Sequence, residues 1–373
     1  MSFKVKTDQL LLGLQQAIRV VPNRSTLPIL NCALFDFNNN RMRISTTNLE
    51  TSINIAIKFE GEAFSSPFAI PINRLLEISS NIKDKEIEFD LIDEKKLVIK
   101  TTTGSYTITG QDFSEYPSDP VMSESTSLSL STKNLLDIIN FTKNSVSKDE
   151  LKPALQGVYF KISTDRILGV STDGHRLSRI IIKNKNDHPK EHEIIIPTKF
   201  LSLIKTDTDT TQQIELEVSK NFISLSQKNT IIFSRIIKDT YPDYEKVIPL
   251  DNEKRATINK QDLLSALKRV SIFSNRSTKQ TTFVFEKNKL TLLTEDSEKA
   301  AMGKEEISCD FTIEEQLKIG FNATFFLEAL SNLKSENINI FLNGPLSAAI
   351  LTEQEQKEKT DKLLLLMPIR LND

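Results

Sequence analysis

This chain repeats itself three times, and that one pattern limits its possible folds more than any other feature. Thr7-Asp8-Gln9-Leu10-Leu11 returns as Thr132-Lys133-Asn134-Leu135-Leu136 and, with drift, as Asn259-Lys260-Gln261-Asp262-Leu263-Leu264. Leu10 and Leu135 lie 125 residues apart, and Leu135 and Leu263 lie 128 apart. Each copy opens a stretch with apolar residues at helical spacing: Leu10, Leu11, Leu14 and Ile18, then Leu135, Ile138 and Ile139, then Leu263, Leu264, Leu267 and Val270. A polar residue before each stretch suits an N-cap. A second helix follows Pro71, Pro197 and Phe321, markers that are 126 and 124 residues apart. Three unrelated domains would have to agree by chance at two separate helices, so the repeat is read as architecture.

Between the helices, short alternating or β-branched runs predict strands: Arg43 to Thr46, Glu86 to Leu91, Leu97 to Thr101, Ile167 to Val170, Ile214 to Val218, Thr282 to Phe285 and Leu290 to Thr294. Two helices and about eight short strands per repeat make an α+β unit, with helices on one face of antiparallel sheet. The expected domains are 1–125, 126–251 and 252–373, with hinges near 121–128 and 249–256.

Chemistry is sparse. Ten glycines in 373 residues is well below the usual ~7%, which argues against folds built on glycine-rich phosphate loops. Of three histidines, His188 and His192 match the H-x-x-E-H spacing of a zinc peptidase helix, but Pro189 sits inside it and Glu193 to Ile196 runs on as a strand. Gly169 to Arg176 spaces its glycines like a P-loop, yet His-Arg replaces the required Lys-Ser/Thr. Asp207-Thr208-Asp209 lacks the glycine and distal glutamate of a calcium loop. Cys32 and Cys309 form no framework, and no G-x-S-x-G is present. No metal, no cofactor and no enzymatic activity are expected. The first residues carry no apolar signal core, and the longest apolar run, Leu363 to Ile369, is far short of the ~20 residues that span a bilayer. A cytoplasmic protein with no membrane partner is expected.

The net charge of −2 conceals a division. Helical stretches taken as 7–24, 72–85, 132–148, 198–205, 259–279 and 322–334 hold 16 Lys+Arg and 6 Asp+Glu, a sum of +10 that leaves −12 elsewhere. The basic residues include Arg19, Arg24, Arg74, Lys143, Lys148, Lys199, Lys205, Lys268, Arg269, Arg276 and Lys279. Singly, each suits a solvated helix face as well as a binding one. As a set they suggest a positive surface that holds a nucleic acid backbone without reading its sequence. Twelve helices at ~8–10 Å spacing would close a circle roughly 36 Å across, with an opening of roughly 26 Å once a helix diameter is removed. One chain supplies three of the six copies needed, so a closed ring requires a dimer.

The residues then resemble a known family, the bacterial sliding clamps, the beta subunits of DNA polymerase III. The resemblance runs through essentially the whole chain. It rests on Thr26-Leu27-Pro28-Ile29-Leu30, Ser171-Thr172-Asp173-Gly174-His175-Arg176-Leu177, Tyr241-Pro242-Asp243-Tyr244, Ile319-Gly320-Phe321-Asn322 and Met367-Pro368-Ile369-Arg370-Leu371. It implies three domains of the DNA-clamp type forming half of a head-to-tail homodimeric ring. Duplex DNA would thread the ring, a separate clamp-loader ATPase would open it, and the replicative polymerase subunit and other proteins with clamp-binding motifs would be tethered to it. It also implies a peptide pocket between the second and third domains. Leu155, Thr172, Gly174, His175, Arg176, Leu177, Pro242 and Val247 would contribute from one side, and Asn322, Phe325, Leu346, Leu365, Met367, Pro368, Ile369 and Arg370 from the other. Without the resemblance, Leu155, Leu177 and Val247 read equally as core, and His175 and Arg176 as supports of a turn around Gly174.

Arg24, Arg74, Lys143, Lys148, Lys199, Lys205, Lys268, Arg269 and Lys279 are the expected DNA-facing residues. Tyr106 and Ile108 of one subunit would meet Ile272 and Phe273 of the other, although the Ile-Phe pair also suits a core helix terminus. The chain departs from the family at Asn372-Asp373, which extend past the usual Arg-Leu ending, and at Thr294 to Ser297, which replaces the Thr-Asp-Gly turn in the third repeat and argues against a second pocket there. Pro345 stiffens the loop before Leu346. Two other readings stand beside the clamp: an enzyme on the same scaffold, and a monomeric adaptor that uses the peptide cleft without encircling DNA.

Overall fold

The repeat reappears as a burial register. Helix α1 (Thr7–Ala17) opens the first repeat and α2 (Ile72–Asn81) follows it; α3 (Thr132–Thr142), α4 (Thr198–Leu203), α5 (Lys260–Val270) and α6 (Ala323–Asn332) complete the set. Leu10, Gly13, Leu14 and Ala17 of α1 are buried, as are Leu135, Ile138, Ile139 and Thr142 of α3, and Leu263, Ala266, Leu267 and Val270 of α5. All three sets follow i, i+3, i+4, i+7, the stripe that faces a core. A strand hydroxyl donates to the carbonyl of the last buried residue in each set: Thr46 Oγ1 to Ala17 O (2.7 Å), Ser171 Oγ to Thr142 O (2.6 Å) and Thr294 Oγ1 to Val270 O (2.8 Å). At the opposite ends, the amides of Thr7, Thr132 and Lys260 donate to the carbonyls of Lys85, Gln212 and Glu336 at 3.0, 3.1 and 2.9 Å. These bonds satisfy terminal backbone groups that have no partner within a helix.

The expected side-chain caps hold in the third repeat only in part of the pattern. Asn259 Oδ1 accepts from Gln261 N and Asp262 N, but Lys6 before α1 makes no side-chain cap, and Thr7 and Thr132 use their hydroxyls on the carbonyls of Asp84 and Gln212.

The helices are shorter than the basic stretches suggested. As folded they hold six basic and five acidic residues, a net of +1. The rest of the expected +10 lies in the segments that follow them, at Arg19, Arg24, Lys143, Lys148, Arg276 and Lys279 among others. Of these, Arg19 and Lys143 stand within two residues of a helix end, close enough to complement the negative end of its dipole.

The computed structural model describes residues 2–38, 41–93, 95–183, 191–204, 212–296, 299–356 and 358–371. His188, Lys205, Asp207 to Asp209 and Asn372-Asp373 lie outside them. The chain forms two units, Met1–Thr132 with Lys199–Ile236, and Lys133–Thr198 with Ile237–Asp373.

In the first unit, an antiparallel five-stranded sheet runs in the order Glu60–Gly61, Ser2–Lys6, Glu86–Asp93, Lys96–Lys100, Ser105–Thr109. An eight-stranded sheet runs Thr126–Ser131, Gln213–Val218, Phe222–Gln227, Thr230–Arg235, Thr51–Lys58, Arg41–Thr47, Cys32–Asn38, Phe68–Pro71. Its middle pairing, Ile232 opposite Ile53, joins strands of different repeats into one sheet. Helix α1 packs beside α2 and on the strand Thr51–Lys58. Phe3 packs against the rings of Phe37, Phe59, Phe64 and Phe89 at 5.1, 5.9, 5.2 and 5.1 Å between centroids, within the range where aromatic pairs attract.

In the second unit, a nine-stranded sheet runs His192–Pro197, Gly157–Ile162, Arg166–Thr172, Arg176–Lys183, Thr360–Leu366, Ala349–Glu353, Asn337–Leu342, Lys254–Asn259, Asp310–Phe311. Leu177 opposite Leu365 is the pairing that joins its two repeats. A four-stranded sheet of Ala301–Ser308, Lys289–Asp296, Gln280–Glu286 and Leu317–Asn322 lies against α5 and α6, with Phe283, Phe321 and Phe326 buried among them. His192 opens a strand, so the zinc-helix spacing has no helix on that side.

Candidate functional site

The loop between the strands Arg166–Thr172 and Arg176–Lys183 builds itself from its own residues. Thr172 Oγ1 donates to Arg176 O at 2.6 Å and accepts from Gly174 N at 3.1 Å; Asp173 Oδ1 accepts from the amides of His175 (2.9 Å) and Arg176 (3.0 Å). Asp and Thr side chains that bond nearby amides are the usual makers of such turns. Gly174 sits at φ +92°, a region that costs other residues but not glycine. Arg176 Nε meets Asp173 Oδ2 at 3.0 Å, its Nη1 reaches Glu328 of α6, and its guanidinium lies 4.3 Å from the centre of the Phe325 ring. Arg176 is therefore a brace between the turn and α6.

Beside this turn a cleft of about 600 Å³ opens over a buried cluster of Leu168, Val170, Leu177, Ala348, Ile350, Leu363 and Leu365. Nine of the expected pocket residues line it: Leu155, Thr172, Gly174, Arg176, Leu177, Pro242, Val247, Leu365 and Met367. Leu177 and Leu365 form its buried floor, while Val247 and Met367 are 54% and 42% exposed. An apolar groove that keeps such side chains in water, with a few fixed polar groups, has the build of a ligand site. Stacked rings support its wall: Tyr159 lies 5.1 Å from Tyr241, and both pack on the buried cluster with Tyr244 and Ile248.

The other seven expected residues do not line this cleft. His175 is exposed, stacks on Phe325 at 6.4 Å, and accepts from Met367 N at its carbonyl (2.8 Å). Phe325 lies beyond Arg176, against its guanidinium. Asn322 caps α6, its Oδ1 accepting from Thr324 N and Phe325 N. Ile369 bonds Gly320 O at 2.8 Å and ties the C-terminal segment to the four-stranded sheet; a side chain at Gly320 would collide with Ile369 O and Leu371. Pro368 is half-buried, while Leu346 and Arg370 are exposed. Asp243, Tyr244, Lys246, Pro249, Asp251, Ser347 and Ala348 line the cleft instead, unforeseen from the sequence. Asp243 and Tyr244 belong to the Tyr-Pro-Asp-Tyr motif already singled out, but Lys246 lies in the short 3-10 turn Tyr244–Val247 and the others in loops, with no periodic signal.

The expected interface residues differ in burial. Ile108 is 1% exposed, its side chain packed inside the first unit from the strand Ser105–Thr109, whose other four residues are exposed. Tyr106 is exposed on the same strand, and Ile272 and Phe273, in the 3-10 turn after α5, are 77% and 42% exposed. Of the expected DNA-facing residues, Arg24, Arg74, Lys143, Lys148, Lys199, Lys268 and Arg269 are exposed and Lys279 is half-buried. Arg269 is held in a two-pronged pair by Glu305 at 2.7 and 2.6 Å, which offsets its charge. Lys199, exposed as a residue but partly enclosed at its ammonium, is pressed below its ordinary range by desolvation, with Glu50 opposing the shift. Among the described residues, no cluster of three or more His, Cys, Asp or Glu could hold a metal ion, and no helix is long and apolar enough to cross a membrane.

The family models for the DNA polymerase III beta subunit match the chain in order: the N-terminal domain over residues 1–120, the central domain over 129–243 and the C-terminal domain over 245–370. The chain is 26% identical over 372 residues to the beta sliding clamp of Haemophilus influenzae, covering all of both chains, and 28% identical over 381 residues to that of Streptococcus pneumoniae, covering 99% of each. It superposes with a TM-score of 0.90 on the DNA polymerase III subunit beta of Pseudomonas aeruginosa, at 22% identity and over 99% of this chain and 100% of that one. The sliding clamp of Bartonella birtlesii, solved bound to griselimycin, gives 0.91 at 25% identity and full coverage of both. Matched in order by all three domains over nearly its whole length, the chain belongs to the DNA polymerase III beta subunit family.

Proposed function

We propose that the chain acts in the cytoplasm as a DNA sliding clamp, a processivity factor whose closed homodimer surrounds duplex DNA and tethers the replicative polymerase through short linear peptides. The observation that carries this is the continuous family match across all three domains, which favours the clamp over the monomeric adaptor. Each repeat, 1–125, 126–251 and 252–373, serves as one clamp domain in this reading. The chain's chemistry is binding. Exposed arginines and lysines after the helices supply charge for phosphates without selecting a base sequence.

The cleft beside Arg176 is the tether site in this proposal. Leu177 and Leu365 offer a floor for an apolar anchor, and Met367 gives a wall that adapts to several partners. The Asp173-Arg176-Glu328 brace holds the turn that shapes one rim. A loader ATPase opens the ring on DNA, and Ile272 and Phe273 anchor the subunit contact opposite Tyr106.

The decisive test loads the protein onto nicked circular DNA with the matching loader and ATP, then linearises the circle. Retention on the circle and loss on cutting are expected for a topological link. Equal retention on both forms would overturn the clamp in favour of ordinary surface binding.

A further inference from the structure

The peptide cleft has an uneven distribution of charge. The stretch from Asp243 to Glu253, which walls it, carries four carboxylates, at Asp243, Glu245, Asp251 and Glu253, against the single cation of Lys246. Asp243, Lys246 and Asp251 line the cleft directly, while Lys254 and Arg255 that follow stand on the next strand, outside the lining. Lys246 is matched by Asp243 at 3.0 Å, and Arg176, the other lining cation, is already held by two carboxylates, Asp173 and Glu328. Taken with their partners, the lining charges sum to two cations against four anions, a net of −2. Asp251 accepts from a neutral amide, Asn343 Nδ2, at 2.8 Å. The Lys246 ammonium keeps the Asp243 carboxyl below its ordinary range, so it is ionised at neutral pH.

Beside this acidic wall stand Val247 and Met367, apolar and exposed, over the buried floor of Leu177 and Leu365. An occupant must cover the apolar part and meet the wall without bringing like charge to it. We infer that this cleft selects linear peptides in which bulky apolar anchors are flanked by lysine or arginine, the basic residue lying toward Asp243 and Asp251, and that it disfavours anchors flanked by acidic residues. The inference rests on the peptide-cleft reading above and adds the charge class of the partner.

Three labelled peptides of one sequence with two leucine anchors, differing only in two flanking residues that are both Lys, both Ser or both Glu, test it by fluorescence anisotropy on the full chain. The order Lys, Ser, Glu from tightest to weakest is expected, with about a fivefold spread between the ends for one or two exposed charge pairs. That spread should shrink when salt is raised from ~0.05 M to ~0.5 M, as screening requires. In a chain carrying Asp243→Asn and Asp251→Asn, checked for an unchanged melting curve, the Lys-to-Glu ratio should fall near one, and Lys246→Glu should widen it. Equal binding of all three peptides, or tightest binding of the Glu peptide, overturns the charge preference and leaves the cleft reading standing. Failure of all three to bind, with Met367→Ala without effect on any partner protein captured by the clamp, removes the cleft reading and the inference together.

Discussion

Three buried hydroxyls, at Thr46, Ser171 and Thr294, close the same helix end in three places. Each satisfies a carbonyl that helix geometry leaves open, and each is itself buried. Replacing Thr294 with Val keeps the shape and removes the donor, so the carbonyl of Val270 loses its partner. We expect a loss of about 1–2 kcal/mol in chemical denaturation, and a comparable loss for Thr46→Val. The two cysteines make a second prediction. Burial pushes the Cys32 thiol up to about 11, and burial with Asp310 nearby pushes Cys309 up to about 12. Only the thiolate reacts, and at pH 8 both thiols stay protonated in the folded chain. A thiol reagent at that pH should therefore react slowly with native protein and rapidly with both cysteines in denaturant.

The turn and α6 illustrate how an element becomes a site. Thr172, Asp173 and Gly174 were legible as a turn because short polar side chains and glycine form turns locally. The engagement of Arg176 by Glu328 was not, since 152 residues separate them. Glu328→Gln removes the charge from that brace while keeping its shape. Peptide affinity should fall by about 1 kcal/mol, read by anisotropy, with the fold intact. The same reasoning accounts for the divided fate of the expected pocket. Leu177 and Leu365 reach the cleft on paired strands and Leu155 on the 3-10 turn Pro153–Gln156, whereas Asn322 caps α6 and Ile369 pairs with Gly320. These backbone roles become visible only once strands are paired.

For the assembled clamp, Ile272 and Phe273 are the exposed apolar pair that the homodimer proposal requires. Replacing both with Ser should give a folded monomer by sedimentation, with an unchanged far-ultraviolet spectrum; an intact dimer would count against the contact. Ile108→Ala should behave differently, because it empties part of the core of the first unit. A loss of about 2–4 kcal/mol in stability is expected, with the dimer retained by whatever protein remains folded. The two variants separate an interface residue from a core residue on mass and melting alone.

The sequence by itself determined the threefold repeat, the α+β class, the stripe that each leading helix buries, most strands and the family. Those follow from periodicity and local chemistry, which act over a few residues and survive divergence. Tertiary structure alone decided where the helices stop, and with them how much positive charge they carry: the expected +10 became +1 once 3-10 turns and loops took over at residues such as Lys143 and Ile272. It also decided that Ile108 points inward, that Arg176 is a brace, and that Asp243 and Asp251 wall the cleft. Each of these depends on which distant strand or helix arrives alongside, and the free energy of that meeting is written in no single stretch of the chain.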